Sequence, residues 1–229
     1  MYNQHLLYVQ PITVAGYGVF DNNGGFGLNI ESNGNVTMAN LASSFNGGDG
    51  VYVNTSNVNG ASLAANVTLT GSNNLFYGNS VYGLYVVNDG NITVSNVLAN
   101  YNVADGARLD NALLAGIGEV KTITVNGVNN FNFNGGIAGL FVSSSGGANL
   151  TRINAGLNYD SGVPASAGLY ANVAGTLTLT CGQFTSNEGA GYNLNAATIY
   201  LKGFLSSNNG AADSTTAGMV VREKTCLLP

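Results

Sequence analysis

The chain is short of most groups that carry common protein chemistry. It has no tryptophan, one histidine, two cysteines and three prolines, and charged residues make up 7% of its 229 positions. Six Lys and Arg against eleven Asp and Glu leave a net charge of −5. The basic face that a phosphate backbone requires is missing, which argues against nucleic acid as a partner. No stretch approaches the roughly 20 apolar residues of a membrane span. Met1 to Pro11 lacks the basic start and apolar run of a secretory leader. Met1 leads almost directly into a strand, so the sequence reads as a mature region or an excised piece of something longer. Nor does any segment show the 3.6-residue apolar period of an amphipathic helix. Low charge does not mean disorder here, because 45% of the residues are hydrophobic, too many for a chain unable to form a core.

What the chain has in quantity is glycine and asparagine, 33 and 35 residues. Gly27, Gly50, Gly83, Gly106, Gly139, Gly168, Gly191 and Gly218 each open a similar short pattern, at spacings of 23, 33, 23, 33, 29, 23 and 27 residues. Self-similarity at such periods marks a stacked repeat architecture. After each glycine the first and third residues are apolar, as in Leu28/Ile30, Val51/Val53, Leu84/Val86 and Leu140/Val142. That alternation is the signature of a half-buried strand.

A second strand follows, usually opened by Asn-x-Thr: Asn35-Val-Thr37, Asn66-Val-Thr68, Asn91-Ile-Thr93 and Asn149-Leu-Thr151. A looser third segment ends in an asparagine four residues before the glycine, at Asn23, Asn46, Asn79, Asn102 and Asn187, with Asn134 one place further off. One repeat is therefore three short strands and three turns. Glycine and asparagine suit its turns because both tolerate left-handed backbone conformations.

These features resemble the right-handed parallel β-helix of the pectate-lyase-like superfold, as found in repeat-containing bacterial surface proteins, over about Ile12 to Val221. The resemblance implies an all-β solenoid of about seven to eight coils. Residues 1–11 would be a lead-in or partial cap, 12–218 the β-helix, and 219–229 a C-terminal strand and cap. It also implies stacked asparagine ladders at a tight corner. Fold alone does not give function.

The catalytic residue patterns of that superfold's enzymes are not met. There is no Gly-His-Gly and no Asp-Asp, and the one Arg-x-Lys is Arg222-Glu-Lys224; the only histidine, His5, precedes the first repeat. Asp49 and Asp105 both precede a marker glycine, two repeats apart and so about 9.6 Å, near the upper end of the separation of inverting glycosidase carboxylates. Asp-Gly is also a preferred turn dipeptide, which is the simpler explanation. One acid per repeat supplies too few oxygen ligands for calcium, so neither metal nor cofactor is expected. The enzyme alternative is a polysaccharide lyase or hydrolase built around Asp49, Asp105, Arg108 and Asp110.

The outward position of the first strand is more informative. Tyr52, Tyr85, Arg108, Phe141 and Tyr170 fall there on consecutive repeats and would form an exposed stripe about 20 Å long. Insertions at Thr55–Ala65 and Asn111–Lys121 would stand beside it as a wall. Such a face can stack on sugar rings or anchor a surface-protein partner, or simply stabilise neighbouring strands. Thr13, Thr37, Thr68, Thr93, Thr124, Thr151 and Thr178 read as a second column on the outer face of the next strand. Such an array can order water, but threonine is also a good strand residue.

Register sets Cys181 and Cys226 about two repeats apart, beyond the roughly 7 Å Cα limit for a bridge unless the tail folds back. Apolar Leu6, Leu7, Tyr8 and Val9 at one end and charged Arg222, Glu223 and Lys224 at the other leave self-association through the solenoid ends open. The expectation is a non-catalytic, extracellular or cell-surface element, structural or adhesin-like.

Overall fold

The computed structural model describes residues 2–3, 10–56, 65–112, 120–159 and 166–223. Every regular element among them is a β-strand. Twenty strands join in one continuous hydrogen-bonded sheet, and its registered pairings are parallel. No helix of the described residues is long and apolar enough to cross a membrane.

Before Ala138, strands pair with the strand three further along rather than with their neighbours in sequence, whereas the long strands that follow pair directly with the next one. Val51–Asn54 lies between Leu28–Ser32 and Leu84–Val87. Val67–Thr70 lies between Val36–Ala39 and Ile92–Ser95, and Asn74–Tyr77 between Leu41–Ser44 and Val97–Asn100. The sheet therefore curls around an axis and encloses one apolar core running from Ile12 to Leu201. From Ala138 onward the bends are taken with less interruption, and strands lengthen to Ala167–Thr185 and Tyr192–Ser207.

Register arranges equivalent residues in columns. Leu28, Val51, Leu84, Ala107, Leu140, Leu169 and Tyr192 form one inward column of the first strand set. Ile30, Val53, Val86, Leu109, Val142, Ala171 and Leu194 form the other, as the alternation predicts. Two left-handed residues per repeat make the bends. One precedes each corner asparagine: Asn22, Phe45, Gly78, Tyr101, Phe133, Leu157, Ser186 and Asn208 have φ between 56° and 64°. The second set includes Asn40, Asn96, Arg152 and Cys181, with φ of 50° to 60°.

The corner asparagines form one unbroken ladder of eight: Asn23, Asn46, Asn79, Asn102, Asn134, Asn158, Asn187 and Asn209. Each Oδ1 accepts both the backbone N–H and the Nδ2–H of the preceding member, at 2.9–3.3 Å. The other Nδ2 hydrogen goes to a strand carbonyl, as in Asn79 to Ser43 O, Asn102 to Phe76 O and Asn187 to Ala155 O. The marker glycines exist because of these amides. A Cβ at Gly83 would lie 2.7 Å from Asn102 Nδ2 and 2.5 Å from Gly106 O, and the same collision recurs at Gly50, Gly106 and Gly139.

In the third strand set one inward column alternates in size: Phe20, Ser43, Phe76, Ala99, Phe131, Ala155, Phe184, Ser206. Each phenyl ring lies over a small residue on either side, which is how a column of 4.8 Å rungs holds rings at interior packing density. Asn74 and Asn129 sit fully buried in the adjoining column. Their Oδ1 atoms accept the Leu41 and Val97 N–H groups, so both are satisfied.

Several sequence expectations need correction. Gly218 is not the eighth marker: Met219 pairs with Thr198 and Val220 with Ile199, second-strand positions, and Gly218 lies within the strand Ser214–Glu223. Thr151 is not in the threonine column, because Asn149 pairs with both Thr124 and Thr178 while Thr151 pairs with Thr180. Thr13, Thr37, Thr68, Thr93 and Thr124 do align. Cys181 is disulfide-bonded, against the expectation that register keeps it from a partner. Cys226, His5, Lys224, Leu6, Leu7, Tyr8 and Val9 lie outside the described residues.

Two outcomes follow for stability. Asn102→Ala strips the acceptor from two buried donors of Asn79 and removes the amide donor to Phe76 O, which costs roughly 2–4 kcal/mol by the usual loss per orphaned group. Asn23→Ala, at the exposed end, costs clearly less in the same urea titration; equal losses would show that the ladder is not a chained structure. In the core, Phe131→Ala loses about 3–5 kcal/mol. Ala155→Phe, forced between Phe131 and Phe184, loses about 1–3 kcal/mol. A stabilising Ala155→Phe would refute the alternation.

Candidate functional site

The five stripe residues fall in one column. Tyr52 pairs with Tyr85, Tyr85 with Arg108, Arg108 with Phe141, and Phe141 with Tyr170. The column begins at Asn29 and continues through Asn193 to Ser214. Alternation forces this, since each lies between two inward residues of its strand.

Geometry changes what the stripe is. Tyr52 and Tyr85 meet edge to face at 5.3 Å, and Phe141 and Tyr170 stack at 5.1 Å with planes 5° apart. Arg108 bridges the two pairs: its guanidinium carbon lies 4.0 Å from the Phe141 centroid and 6.0 Å from that of Tyr85. Such cation–ring contacts are worth about 0.5–2 kcal/mol, more when desolvated. Tyr52, Tyr85 and Tyr170 are consequently half-buried rather than open, and Phe141 is buried, with 9% exposure.

Two aromatics of the cluster were not singled out by sequence. Phe26 stacks on Tyr52 at 5.7 Å, and Tyr82 packs on Tyr85 at 4.9 Å and lies 5.9 Å from Arg108. Both occupy the position immediately before a marker glycine, the position of Asp49 and Asp105. That shared offset was the available signal. Burial raises the hydroxyl pKa of Tyr52, Tyr82 and Tyr85, with the Arg108 charge opposing it at Tyr82 and Tyr85.

Asp49 and Asp105 are buried, and each serves the backbone of the next repeat. Asp49 Oδ1 accepts the Tyr82 N–H at 3.1 Å, and Asp105 Oδ1 accepts the Ala138 N–H at 3.0 Å. Asp105 Oδ2 also faces Arg108 Nη1 at 3.5 Å. Burial raises both carboxyl pKa values, opposed by these hydrogen bonds and, at Asp105, by the arginine. Asp110 is buried and accepts the Ala112 N–H. Among the described residues no group of three or more His, Cys, Asp or Glu side chains converges.

A second aromatic stack, unforeseen from sequence, runs along the asparagine corner: Phe45, Tyr77, Tyr101 and Phe133, at 5.4, 5.1 and 4.5 Å. Three of these rings sit on the left-handed residues before the ladder, where bulky side chains are uncommon.

At the far end of the first stripe, a groove of about 330 Å³ opens beside Tyr170. Most of the expected loop wall, 57–64 and 113–119, lies outside the described residues. Of the threonine column, Thr13 and Thr37 are exposed while Thr68, Thr93, Thr124 and Thr178 are half-buried. The asparagines that open the Asn-x-Thr strands have a structural use: Asn35 Oδ1 accepts the Asn66 N–H and Asn66 Oδ1 the Asn91 N–H.

Comparison with protein-family models, curated proteins and solved structures returned no match.

The two carboxyls carry a pH dependence of unusual sign. Their folded pKa values lie above the unfolded value of about 4, so the folded chain binds the extra protons more tightly. Their contribution therefore becomes more favourable as pH falls from neutral through the raised values, and levels off below about 4. The melting temperature of the native chain, relative to the Asp49→Asn/Asp105→Asn double variant, is expected to rise between pH 7 and pH 4. A relative fall would mean the ionised forms are the ones the fold favours.

Proposed function

We propose that the chain is a right-handed parallel β-helix of about eight coils, one for each ladder asparagine, with three strands to the coil. Its role is non-catalytic: a structural, adhesin-like element of a secreted or cell-surface protein, able to join end to end. One observation carries the reading. The polar groups best placed for chemistry are committed to the stack, with Asp49 and Asp105 holding backbone N–H groups of the next repeat and Arg108 clamped between Asp105 and Phe141.

Two further features support it. Cys181 is disulfide-bonded, as suits an oxidising compartment outside the cytosol. The strand Ser214–Glu223 pairs with Tyr192–Ser207 on one side and has no other strand partner among the described residues. Its Val220 continues the core column of Ile199 yet is 38% exposed, so a further β-helical unit would extend that column and cover it.

Light scattering and negative-stain microscopy across a concentration series test the assembly: filaments one solenoid wide are expected, and monodisperse monomers throughout would remove end-to-end joining. Incubation with a panel of plant and bacterial polysaccharides tests the rest. No new reducing ends or unsaturated products are expected. Turnover abolished by Asp105→Asn or Arg108→Ala would replace this reading with a saccharide lyase or hydrolase.

A further inference from the structure

Stacked rings occupy one another's faces, so a ring column offers a free face only where it ends. Phe141 has the Arg108 guanidinium on one face and Tyr170 on the other. Tyr170 is the last ring. Its second face is turned toward the next rung, held by Asn193 and then Ser214. These short side chains leave that rung unfilled, and the groove of about 330 Å³ occupies its place, lined by Tyr170, Asn193, Asn195, Ser214 and Thr216 among others.

The polar groups around the vacancy are partly held and partly open. Asn193 Oδ1 accepts the Ser214 hydroxyl at 2.7 Å, and Asn195 Nδ2 donates to Asn172 Oδ1 at 2.9 Å. The held bonds fix both amides in orientation. The Asn193 Nδ2 hydrogens, the Asn195 Oδ1 and the Thr216 hydroxyl have no protein partner among the described residues. The lining carries no charged side chain.

We propose that this vacancy is a binding site for a neutral pyranose ring. The apolar C–H face of the sugar lies on the free face of Tyr170, taking the place of the missing rung at about the 4.8 Å repeat of the column. Ring hydroxyls accept from Asn193 Nδ2 and donate to Asn195 Oδ1, and the Thr216 hydroxyl does either. The absence of charge selects neutral sugars over uronates or sulfated chains. The site is formed within one chain, and its Ser214 and Thr216 belong to the terminal strand at which a joined unit would pair.

Saturation-transfer NMR with methyl glucoside, methyl galactoside and methyl mannoside, then their neutral hexasaccharides, reads the contact directly. Transfer to ring C–H protons of at least one probe is expected. Asn193→Tyr fills the rung with a further stacked ring; it and Tyr170→Ala are expected to weaken binding about tenfold or more, a loss of about 1.4 kcal/mol. Tyr170→Phe retains binding, as does Tyr101→Ala on the other corner. No transfer from any probe to the folded chain overturns the site, and so does binding that survives Asn193→Tyr. If Asn193→Tyr does not fold, Ser214→Tyr fills the groove from the next rung and is read in the same way.

Discussion

A buried amide that must be satisfied at both ends governs this molecule. Each ladder asparagine gives two hydrogens to the Oδ1 of the next member and one to a strand carbonyl, in surroundings where an orphaned group costs 1–3 kcal/mol. Satisfying one member therefore demands another on the following rung. The demand travels further, because the inward amide leaves no room for a Cβ on the glycine it faces. The left-handed residue before each asparagine, which turns the amide inward, belongs to the same requirement. Asparagine, glycine and the bend are one device repeated, and the parallel register follows from it.

The charged residues look different against that background. In a chain this poor in charge, an arginine between Asp105 and Asp110 in sequence and against two tyrosines suggests a reaction centre. Its contacts assign it to packing: Arg108 spans a break between two ring pairs, and Asp105 both neutralises it and holds the next turn in place. A raised carboxyl pKa here reports burial in a stack. Perturbed titration marks functional sites only as a tendency, since structural networks produce it too.

Much of the fold was legible because column positions repeat with simple chemistry. The inward alternation, the stripe from Tyr52 to Tyr170, and six of the eight ladder asparagines could be read from offsets to the marker glycine. Failures came where the offset breaks. Asn158 was missed because ten residues rather than four separate it from Gly168, and Asn209 because Gly218 was given a role that register denies it. Thr151 was misplaced because Asn149-Leu-Thr151 imitates the other triplets while sitting two residues out of step. The aromatic corner was illegible for another reason: nothing in a sequence announces that phenylalanine and tyrosine will occupy left-handed bends, since only the ladder behind them makes that conformation pay. The half-burial of the stripe was equally hidden, because it depends on how rings tilt against each other.

The alternation of phenylalanine with serine or alanine inside the third strand set gives the molecule a true unit of two rungs. Gly27, Gly83 and Gly139, each followed by leucine, stand 56 residues apart, a spacing that passes over the intervening glycines. A genetic duplication or loss of one rung would set phenyl against phenyl, or small against small, at the junction. Events spanning two rungs leave the sequence of sizes undisturbed. A lineage of such chains should therefore lengthen and shorten in even steps, with the odd members purged by their own cores.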